Sequence, residues 1–363
     1  MVPGGPGFVD ELQRIWDAGD ALLPVDPRLP APALAELTTS LRPTWLVDPD
    51  GERHRCSGGH EVEEGDALVV ATSGSTGPPK GVVHTHDSVA ASARASSARL
   101  EVDPARDRWL GCLPLAHVGG LSVVTRALLT GTPLEVHPRF DAAAADDAAR
   151  RGATLVSVVP TVLARIDPTG FRRLVVGGAA PPADLPPNAV TSYGLTETGS
   201  ACVYDGWALD GVEVRTGPEG QIQVRGEVLL RVYRDGSDPR DDQGWLTTGD
   251  HGRLDDAGRL TVDGRVDDLI VTGGENVWPA PVERILSGAP GVAEVAVVGR
   301  PDPEWGQVVV AVVVAADPAS PPSLDELRVA VQEHLPAYSA PRRVELVGSL
   351  PRTLLGKVSR RHL

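Results

Sequence analysis

One stretch of this chain reads Thr72-Ser73-Gly74-Ser75-Thr76-Gly77-Pro78-Pro79-Lys80-Gly81. It follows an apolar run, Ala67 to Ala71, which predicts a buried strand. Glycines let backbone N–H groups approach a ligand closely, and hydroxyls add donors, so the stretch suits a polyphosphate with Lys80 as a compact charge. It is not the common P-loop, which needs Ser or Thr directly after the lysine, where Gly81 stands. A surface turn rich in small residues is the alternative.

Lysine is rare in this chain. Of the 34 lysines and arginines only two, Lys80 and Lys357, are lysines, and both lie beside a glycine. Arginine otherwise supplies the positive charge, so a lysine that persists indicates a place where a guanidinium cannot replace a small ammonium. We therefore interpret the two lysines as a functional pair.

Composition limits the class of protein. A length of 363 residues suits two domains, and a net charge of −15 argues against a nucleic-acid-binding surface. Cys56, Cys112 and Cys202 are odd in number and lack metal-ligand spacing, which favours reduced thiols. The start has no signal-peptide pattern, and the longest apolar run, Val308 to Ala316, is too short for a membrane span. We expect a soluble, cytoplasmic protein that binds no nucleic acid.

Strand-like runs alternate with helical runs after residue 66, following a region of short helices and strands. The predicted strands are Ala67–Ala71, Trp109–Leu115, Thr154–Val159 and Leu174–Val176, and the predicted helices are Val82–Leu100 and Gly119–Leu129. This alternation predicts an α/β fold with a helix-covered parallel sheet. Ligands bind at the carboxyl ends of such strands, where the glycine-rich loops fall.

The character changes after Gly211. Short alternating runs at 212–214, 221–224 and 229–232 predict a small antiparallel β-subdomain. The remainder predicts an α+β domain with helices Val282–Leu286 and Ser323–Leu335 and strands Ala293–Val298 and Val308–Ala315; Ser323 and Glu326 form a capping box. The predicted organisation is therefore an N-terminal domain 1–263, a hinge 264–267 and a small mobile domain 268–363.

Four further clusters have residue types suited to binding chemistry. Gly177-Gly178-Ala179-Ala180 would let a planar ring lie against backbone, although a plain strand-to-helix turn explains it equally well. In Ser192-Tyr193-Gly194-Leu195-Thr196-Glu197-Thr198, Tyr193 would stack on a base and Glu197 would bind Mg²⁺; a capped helix start is the alternative. Asp250 would accept hydrogen bonds from two ribose hydroxyls, but a Gly-Asp pair is usually only a turn. The fourth cluster is Arg265, Asp267 and Gly273-Gly274-Glu275-Asn276.

These motifs, in this order, resemble the adenylate-forming acyl-/aryl-CoA synthetases. The resemblance extends from about residue 20 to the C-terminus and includes Gly264-Arg265-Val266-Asp267 and Pro351-Arg352-Thr353 with Gly356-Lys357. Within that family, Leu113-Pro114-Leu115-Ala116-His117-Val118-Gly119-Gly120-Leu121-Ser122 and Gly273-Gly274-Glu275-Asn276-Val277-Trp278-Pro279 look most like the o-succinylbenzoate–CoA ligases of menaquinone synthesis. The second stretch also occurs in other acyl-CoA synthetases.

The resemblance implies a reaction and a set of residues for it. A carboxylate attacks the α-phosphorus of ATP, and the CoA thiol then attacks the acyl-adenylate and releases AMP. The implied catalytic residues are Lys357, Lys80, Glu197 and His117, with Mg²⁺ on Glu197 and Thr76. The implied ATP/AMP-binding residues are Thr72, Ser73, Gly74, Ser75, Thr76, Gly77, Lys80, Gly177, Gly178, Ala179, Ser192, Tyr193, Gly194, Thr196, Asp250 and Arg265. The implied acyl pocket comprises His117, Gly119 and Gly194, the hinge is Asp267, and the CoA tunnel is lined by Gly273 and Gly274.

Several alternatives stay open on the sequence. Members of the family commonly have well over a hundred more residues before the stretch Thr72–Gly81, which we call the lysine loop. One side of the acyl site is therefore expected to be thinner or filled by a second subunit in a homodimer. His117, between Ala116 and Val118, also fits a buried core histidine. An arginine of the N-terminal half would pair with a second substrate carboxylate. Other functions left open are a CoA ligase for another acid, an adenylation enzyme that loads a carrier protein in trans, and a binding module without activity.

Overall fold

The structure is a computed structural model that describes residues 4–48, 51–72, 79–182, 184–352 and 358–363. Ser73, Gly74, Ser75, Thr76, Gly77 and Lys357 of the predicted site lie outside the described residues. The helices are α1 Pro6–Asp17, α2 Ala31–Leu41, α3 His86–Arg99, α4 Val118–Thr130, α5 Ala142–Arg150, α6 Pro160–Leu163, α7 Pro279–Leu286 and α8 Leu324–Gln332.

The strands of the described residues form five sheets. In the first half of the chain they are β1 Trp45–Val47, β2 Arg53–Arg55, β3 Asp66–Thr72, β4 Lys80–Thr85, β5 Trp109–Gly111, β6 Leu134–Val136, β7 Leu155–Val158, β8 Arg173–Val176, β9 Ala189–Gly194, β10 Ala201–Tyr204 and β11 Trp207–Ala208. They continue with β12 Val212–Thr216, β13 Gln221–Gly226, β14 Val232–Tyr233, β15 Leu246–Leu254, β16 Leu260–Arg265, β17 Ile270–Thr272, β18 Glu275–Val277, β19 Val292–Asp302, β20 Gly306–Ala315 and β21 Arg343–Leu346.

The predicted strand at Ala67–Ala71 is confirmed as β3, and it is followed by a second strand. β4 runs antiparallel to β3, with Thr72 opposite Lys80. The predicted helix Val82–Leu100 is wrong over its first four residues, because the β-branched pair Val82-Val83 extends along β3. The helix α3 begins after Thr85, whose hydroxyl accepts a hydrogen bond from the Ser88 N–H and caps it.

The predicted parallel sheet is the seven-stranded sheet, in the order β11-β10-β9-β8-β7-β5-β6. The strands β6, β5, β7, β8 and β9 are parallel, while β10 and β11 add antiparallel strands at one edge. The strands predicted at Thr154–Val159 and Leu174–Val176 and the helix at Gly119–Leu129 are confirmed. The strand predicted at Trp109–Leu115 ends at Gly111, since Pro114 cannot donate a ladder hydrogen bond.

A core of apolar side chains joins the N-terminal helix to the β3–β4 sheet and to the helices that follow. Leu12 of α1, Leu68 of β3, Val89 of α3 and Leu121 of α4 are all buried in one cluster. The Trp16 indole N–H also donates to the Ala67 carbonyl at 2.9 Å. The region 1–66, predicted as short helices and strands, is thus packed on the strand that leads into the lysine loop.

The predicted antiparallel β-subdomain is present as a four-stranded sheet, β12-β13-β15-β16. The strand predicted at 229–232 is wrong in its bounds and partner. Only Val232 and Tyr233 form a strand, and this strand pairs with β4. Leu230 is not part of this strand, because its N–H donates to the Glu197 carbonyl at 2.8 Å.

The C-terminal part has the predicted α+β composition. Strands β18, β17, β20 and β19 form an antiparallel sheet, and β21 pairs with β20 in parallel. Val282 of α7 and Leu327 of α8 pack on Val309 and Val313 of β20, and the predicted Ser323–Glu326 capping box is formed. The predicted helices and strands of this region are confirmed, with ends that differ by a few residues.

The chain divides into two compact units. The first unit is Met1–Gly178, Pro186–Val214 and Val224–Leu246, and the second is Ala179–Leu185, Arg215–Gln223 and Thr247–Leu363. The predicted domain limits at 263 and 268 and the hinge between them stay predictions. Among the residues that the structure describes, no helix combines the length and the apolar character needed to cross a membrane.

Candidate functional site

The lysine loop joins two paired strands of the first unit. Thr72 ends β3, Lys80 begins β4, and the Thr72 hydroxyl donates to the Lys80 carbonyl at 3.3 Å. The strands on either side of the loop therefore pair with each other, whereas in a P-loop protein a helix follows the loop. Gly81 is required beside it, because a Cβ there would stand 2.9 Å from Leu41 and from Arg234.

Lys80 and Glu197 are brought to the same residue, Tyr233. The Tyr233 hydroxyl donates to Glu197 Oε1 at 2.9 Å, and the Lys80 ammonium lies over the Tyr233 ring, 4.9 Å from its centroid. Burial, and then the negative charge of Glu197, raises the pKa of the Tyr233 phenol, so the hydroxyl remains a donor. In the described part of the chain Glu197 Oε2 has no partner, which leaves a carboxylate oxygen suited to a hard cation such as Mg²⁺.

The backbone that carries Glu197 is held from several directions. Residues Thr196–Thr198 form a short 3₁₀ turn, in which the Leu195 N–H donates to the Thr198 hydroxyl at 2.9 Å. Gly199 ends the turn with a φ of 66°, a conformation that favours glycine. The alternative interpretation of this stretch, a capped helix start, is met only by this three-residue 3₁₀ turn, and the role of Glu197 stays a prediction.

His84 lies beneath this turn and is completely buried. Its Nε2 is 2.8 Å from the Thr196 carbonyl oxygen, which can only accept, so Nε2 carries the proton. Nδ1 lies 3.4 Å from the Ser88 hydroxyl. Burial lowers the pKa of His84 to about 4, so the ring is neutral near neutral pH.

The ends of β8 and β9 meet where the sequence places the adenine site. The Ser192 hydroxyl donates to the Val176 carbonyl at 3.2 Å, and a Cβ on Gly177 would stand 2.3 Å from that hydroxyl oxygen. Gly178 has a φ of 77°, and Tyr193 is half-buried. Gly177 therefore has no room for a side chain beside Ser192, Gly178 favours glycine because of its positive φ, and Ala179 after them is exposed.

The residues predicted for the acyl pocket occupy a helix start and a strand end. His117 is the residue before α4, and its carbonyl accepts from the Leu121 N–H at 2.8 Å. A Cβ on Gly119 would stand 3.7 Å from the Leu113 side chain, and the place of Gly119 in the acyl pocket stays a prediction. Gly194 is exposed, and a Cβ there would stand 2.3 Å from the Ser200 carbonyl oxygen.

Arg126 of α4 is a buried cation that the sequence analysis did not single out. Its side chain is 2% exposed and lies 4.9 Å from the Trp109 ring centroid. It donates to the hydroxyls of Ser96 at 2.8 Å, Ser200 at 3.4 Å and Tyr204 at 3.5 Å, all of them neutral groups. Within the described ranges its Nη1 has no partner and no carboxylate pairs with it.

The second unit contains the predicted ribose residues as a cross-strand pair. Asp250 of β15 lies opposite Arg265 of β16, with 3.4 Å between Asp250 Oδ1 and Arg265 Nε. The Asp250 side chain is buried, and its backbone N–H donates to the Thr248 hydroxyl at 3.2 Å. The structure thus places Asp250 and Arg265 side by side, a contact that the sequence alone does not predict.

The predicted hinge and tunnel residues also lie in the second unit. Asp267 is in a 3₁₀ turn, Val266–Asp268, directly after β16. Gly273 and Gly274 form the β17–β18 turn with φ values of 60° and 85°, and a Cβ on Gly273 would stand 2.7 Å from Trp305. Both positions favour glycine because of their positive φ, and Gly273 also because of the nearby Trp305 ring; the tunnel lining stays a prediction.

Comparison with known proteins gives the family of the chain. Residues 57–226 match the AMP-binding enzyme family, and residues 281–357 match the AMP-binding enzyme C-terminal domain. The chain is 39% identical over 327 residues to the probable 2-succinylbenzoate–CoA ligase of Mycobacterium tuberculosis, covering 83% of this chain and 85% of that protein. The chain belongs to the AMP-binding enzyme family. It is an acid–thiol ligase of the AMP-forming acyl-CoA synthetase type, with ATP and CoA as co-substrates.

Two further relatives show the range within the family. The long-chain-fatty-acid–CoA ligase FadD13 of Mycobacterium tuberculosis is 33% identical over 369 residues, covering 86% of this chain and 71% of that protein. The o-succinylbenzoate CoA synthetase (MenE) from Bacillus subtilis, solved with the acyl-adenylate intermediate OSB-AMP, aligns with a TM-score of 0.74 and 32% identity, covering 85% of this chain and 72% of that one. These findings confirm the predicted family and the mixed α/β fold.

Proposed function

We propose that the protein adenylates o-succinylbenzoate with ATP and transfers the acyl group to CoA, giving o-succinylbenzoyl-CoA for menaquinone synthesis. The similarity to 2-succinylbenzoate–CoA ligases and to the OSB-AMP complex supports this choice of acid. The observation that carries it in this chain is Arg126. O-succinylbenzoate has two carboxylates, so an enzyme that activates one of them needs a cation for the other.

Arg126 has the properties of that cation. A buried guanidinium whose partners in the described structure are neutral hydroxyls and an aromatic ring is costly, and a substrate carboxylate would offset the cost. The guanidinium contacts Ser200, and the Ser200 carbonyl faces Gly194 of the predicted acyl pocket. We therefore assign Arg126 to the carboxylate that does not react.

Different residues of the predicted ATP site would bind different parts of the nucleotide. Lys80, with the hydroxyls of the lysine loop, would hold the β- and γ-phosphates, and Glu197 fits Mg²⁺ because one of its carboxylate oxygens is unpaired in the described structure. Mg²⁺, when bound, would neutralise charge on the phosphates. Tyr193 and the Gly177–Ala179 segment would frame adenine, and Asp250 with Arg265 would bind the ribose. Because the carboxylate is an anion and the ATP triphosphate a polyanion, catalysis would depend mainly on neutralising their charges and aligning the two groups.

The thiol-transfer step depends on residues near the C-terminus. Lys357 would bridge the reacting carboxylate and the α-phosphate during adenylation. Rotation at Asp267 would then remove Lys357 and bring Gly273 and Gly274 to the pantetheine, so one small domain would serve both half-reactions. His117 would border the acyl pocket or gate entry of the thiol. A cytoplasmic location and a homodimer that completes the acyl site belong to the same proposal.

A substrate comparison with Arg126 variants tests the proposal. We expect CoA-dependent AMP formation with o-succinylbenzoate and at least a hundredfold lower kcat/KM with benzoate or a long-chain fatty acid. Arg126→Met should raise KM for o-succinylbenzoate by about tenfold to a hundredfold, the effect of losing a buried charged hydrogen bond. The same change should leave benzoate turnover nearly unchanged.

Arg94→Met is the matched control, since Arg94 is exposed on α3. Equal losses with both acids in Arg126→Met would contradict the assigned role. Faster turnover of benzoate or a fatty acid by the wild type would overturn the choice of substrate and leave the family unchanged.

A further inference from the structure

Tyr233 joins the two charged residues of the ATP site and has no role in the function described so far. It lies in β14, where the Arg231 N–H donates to Val83 and the Arg234 N–H donates to Gly81, both on β4. These bonds fix the backbone of Tyr233 against the strand that begins with Lys80. The Leu230 N–H, three residues earlier, donates to the Glu197 carbonyl at 2.8 Å. One segment therefore holds both the strand of Lys80 and the turn of Glu197.

The two ends of the Tyr233 side chain act on opposite charges. The hydroxyl donates to the Glu197 carboxylate, and the face of the ring lies under the Lys80 ammonium. A carboxylate accepts a hydrogen bond from a phenol, and an ammonium is attracted to the negative face of an aromatic ring. Asp235, two residues after Tyr233, is also close enough for the charge of Lys80 to act on it: hydrogen bonds from Ser237, and then the Lys80 ammonium, lower the pKa of its carboxyl.

Lys80 and Glu197 form no ion pair with each other among the described residues, although both contact the same ring. An ammonium and a carboxylate that both contact one side chain would attract one another in a partly buried site. Their pairing would compete with the phosphates for Lys80 and with Mg²⁺ for Glu197.

We propose that Tyr233 is a positioning residue of the ATP site, which holds Lys80 and Glu197 apart and orients the Glu197 carboxylate for Mg²⁺. This inference rests on the ATP-site roles given to Lys80 and Glu197 under the proposed function. It assigns Tyr233 no contact with the reacting atoms.

The two functions of the side chain can be separated by substitution. Tyr233→Phe keeps the ring under Lys80 and removes the hydroxyl, whereas Tyr233→Leu removes both. Calorimetric binding of ATP, without any acid or CoA, is measured over a range of Mg²⁺ concentrations. Tyr233→Phe should raise the Mg²⁺ concentration at half-saturation by about tenfold and leave Mg²⁺-free ATP binding near the wild-type value.

Tyr233→Leu should weaken ATP binding with and without Mg²⁺, because Lys80 is then free to pair with Glu197. Tyr338→Phe, an exposed tyrosine of the second unit, is the matched control and should bind like the wild type. In a Glu197→Gln background, Tyr233→Phe should have no further effect on the Mg²⁺ dependence, since the two changes act through one contact.

The outcomes separate this inference from the proposed function. Wild-type protein that binds no ATP overturns the proposed function. Wild-type binding with an unchanged Mg²⁺ dependence in Tyr233→Phe overturns the role of Tyr233 alone, as does an equal loss with and without Mg²⁺ in that variant. Tyr233→Phe changes the volume little, so it tests the proposal even if Tyr233→Leu fails to fold.

Discussion

The buried imidazole of His84 makes the first unit lose stability in mild acid. An unfolded histidine titrates near 6.5, while burial lowers the pKa of His84 in the folded protein to about 4. Above about pH 6.5 both states hold a neutral ring, so the full stability is present. As the pH falls, the unfolded state binds a proton that the folded state excludes, and stability is lost until the pH reaches about 4.

The magnitude follows from the two pKa values. Between about pH 7 and about pH 5 the shift corresponds to a loss of ~2 kcal/mol in the free energy of unfolding. This is large for one side chain in a protein whose total stability is on the order of 10 kcal/mol. Urea unfolding followed by tryptophan fluorescence at several pH values measures it, since Trp16 and Trp109 lie in the first unit.

The variant His84→Gln isolates this contribution. Its amide N–H can still donate to the Thr196 carbonyl, but it does not titrate. The variant should lose ~2 kcal/mol less than the wild type over the same pH interval. His60→Gln, an exposed residue of the same unit, should behave like the wild type. Identical losses in the wild type and His84→Gln, or a His84 ring that titrates near 6.5 by NMR, would refute the reasoning.

Three further substitutions test other parts of the structure. Lys357→Ala should abolish pyrophosphate release yet still convert pre-formed acyl-adenylate to thioester, and equal loss of both steps would contradict a role confined to adenylation. Asp66→Asn should destabilise the first unit by about 3 kcal/mol in urea unfolding, because buried Asp66 holds Arg231 through two bonds of 2.8 and 2.9 Å; a change below about 1 kcal/mol would contradict this. Gly194→Ala should lower kcat/KM for the acid by about a hundredfold, because its Cβ would displace the Ser200 carbonyl; unchanged kinetics would show that this strand end is free to move.

Much of the fold was predictable because its signals are local. The apolar run before the lysine loop, the glycine-led helix α4 and the Ser323–Glu326 capping box each depend on neighbours in sequence. The strand β4 was missed because Val82-Val83 directly precedes a long run of small residues that favours helix. Val82 and Val83 are in a strand because β4 pairs with β3, a contact that the local sequence does not reveal.

The residues that complete the site could not be predicted, since their contacts join distant parts of the chain. Tyr233 and Glu197 are 36 residues apart, and His84 and Thr196 are 112 residues apart. Arg126 was one of many arginines, and only its burial against Trp109 distinguishes it. The sequence carried only a weak indication of His84 and Arg126, namely that each lies in an otherwise apolar run.

The central claim is that o-succinylbenzoate is activated by adenylation before CoA acts. A single-turnover reaction of the wild-type protein with Mg²⁺, ATP and o-succinylbenzoate, first without CoA, tests it most directly. The account predicts about one equivalent of pyrophosphate and of bound o-succinylbenzoyl-adenylate per active site, followed on addition of CoA by release of AMP and o-succinylbenzoyl-CoA. Formation of ADP and phosphate, or no pyrophosphate with this acid while another carboxylic acid releases it, would contradict the claim.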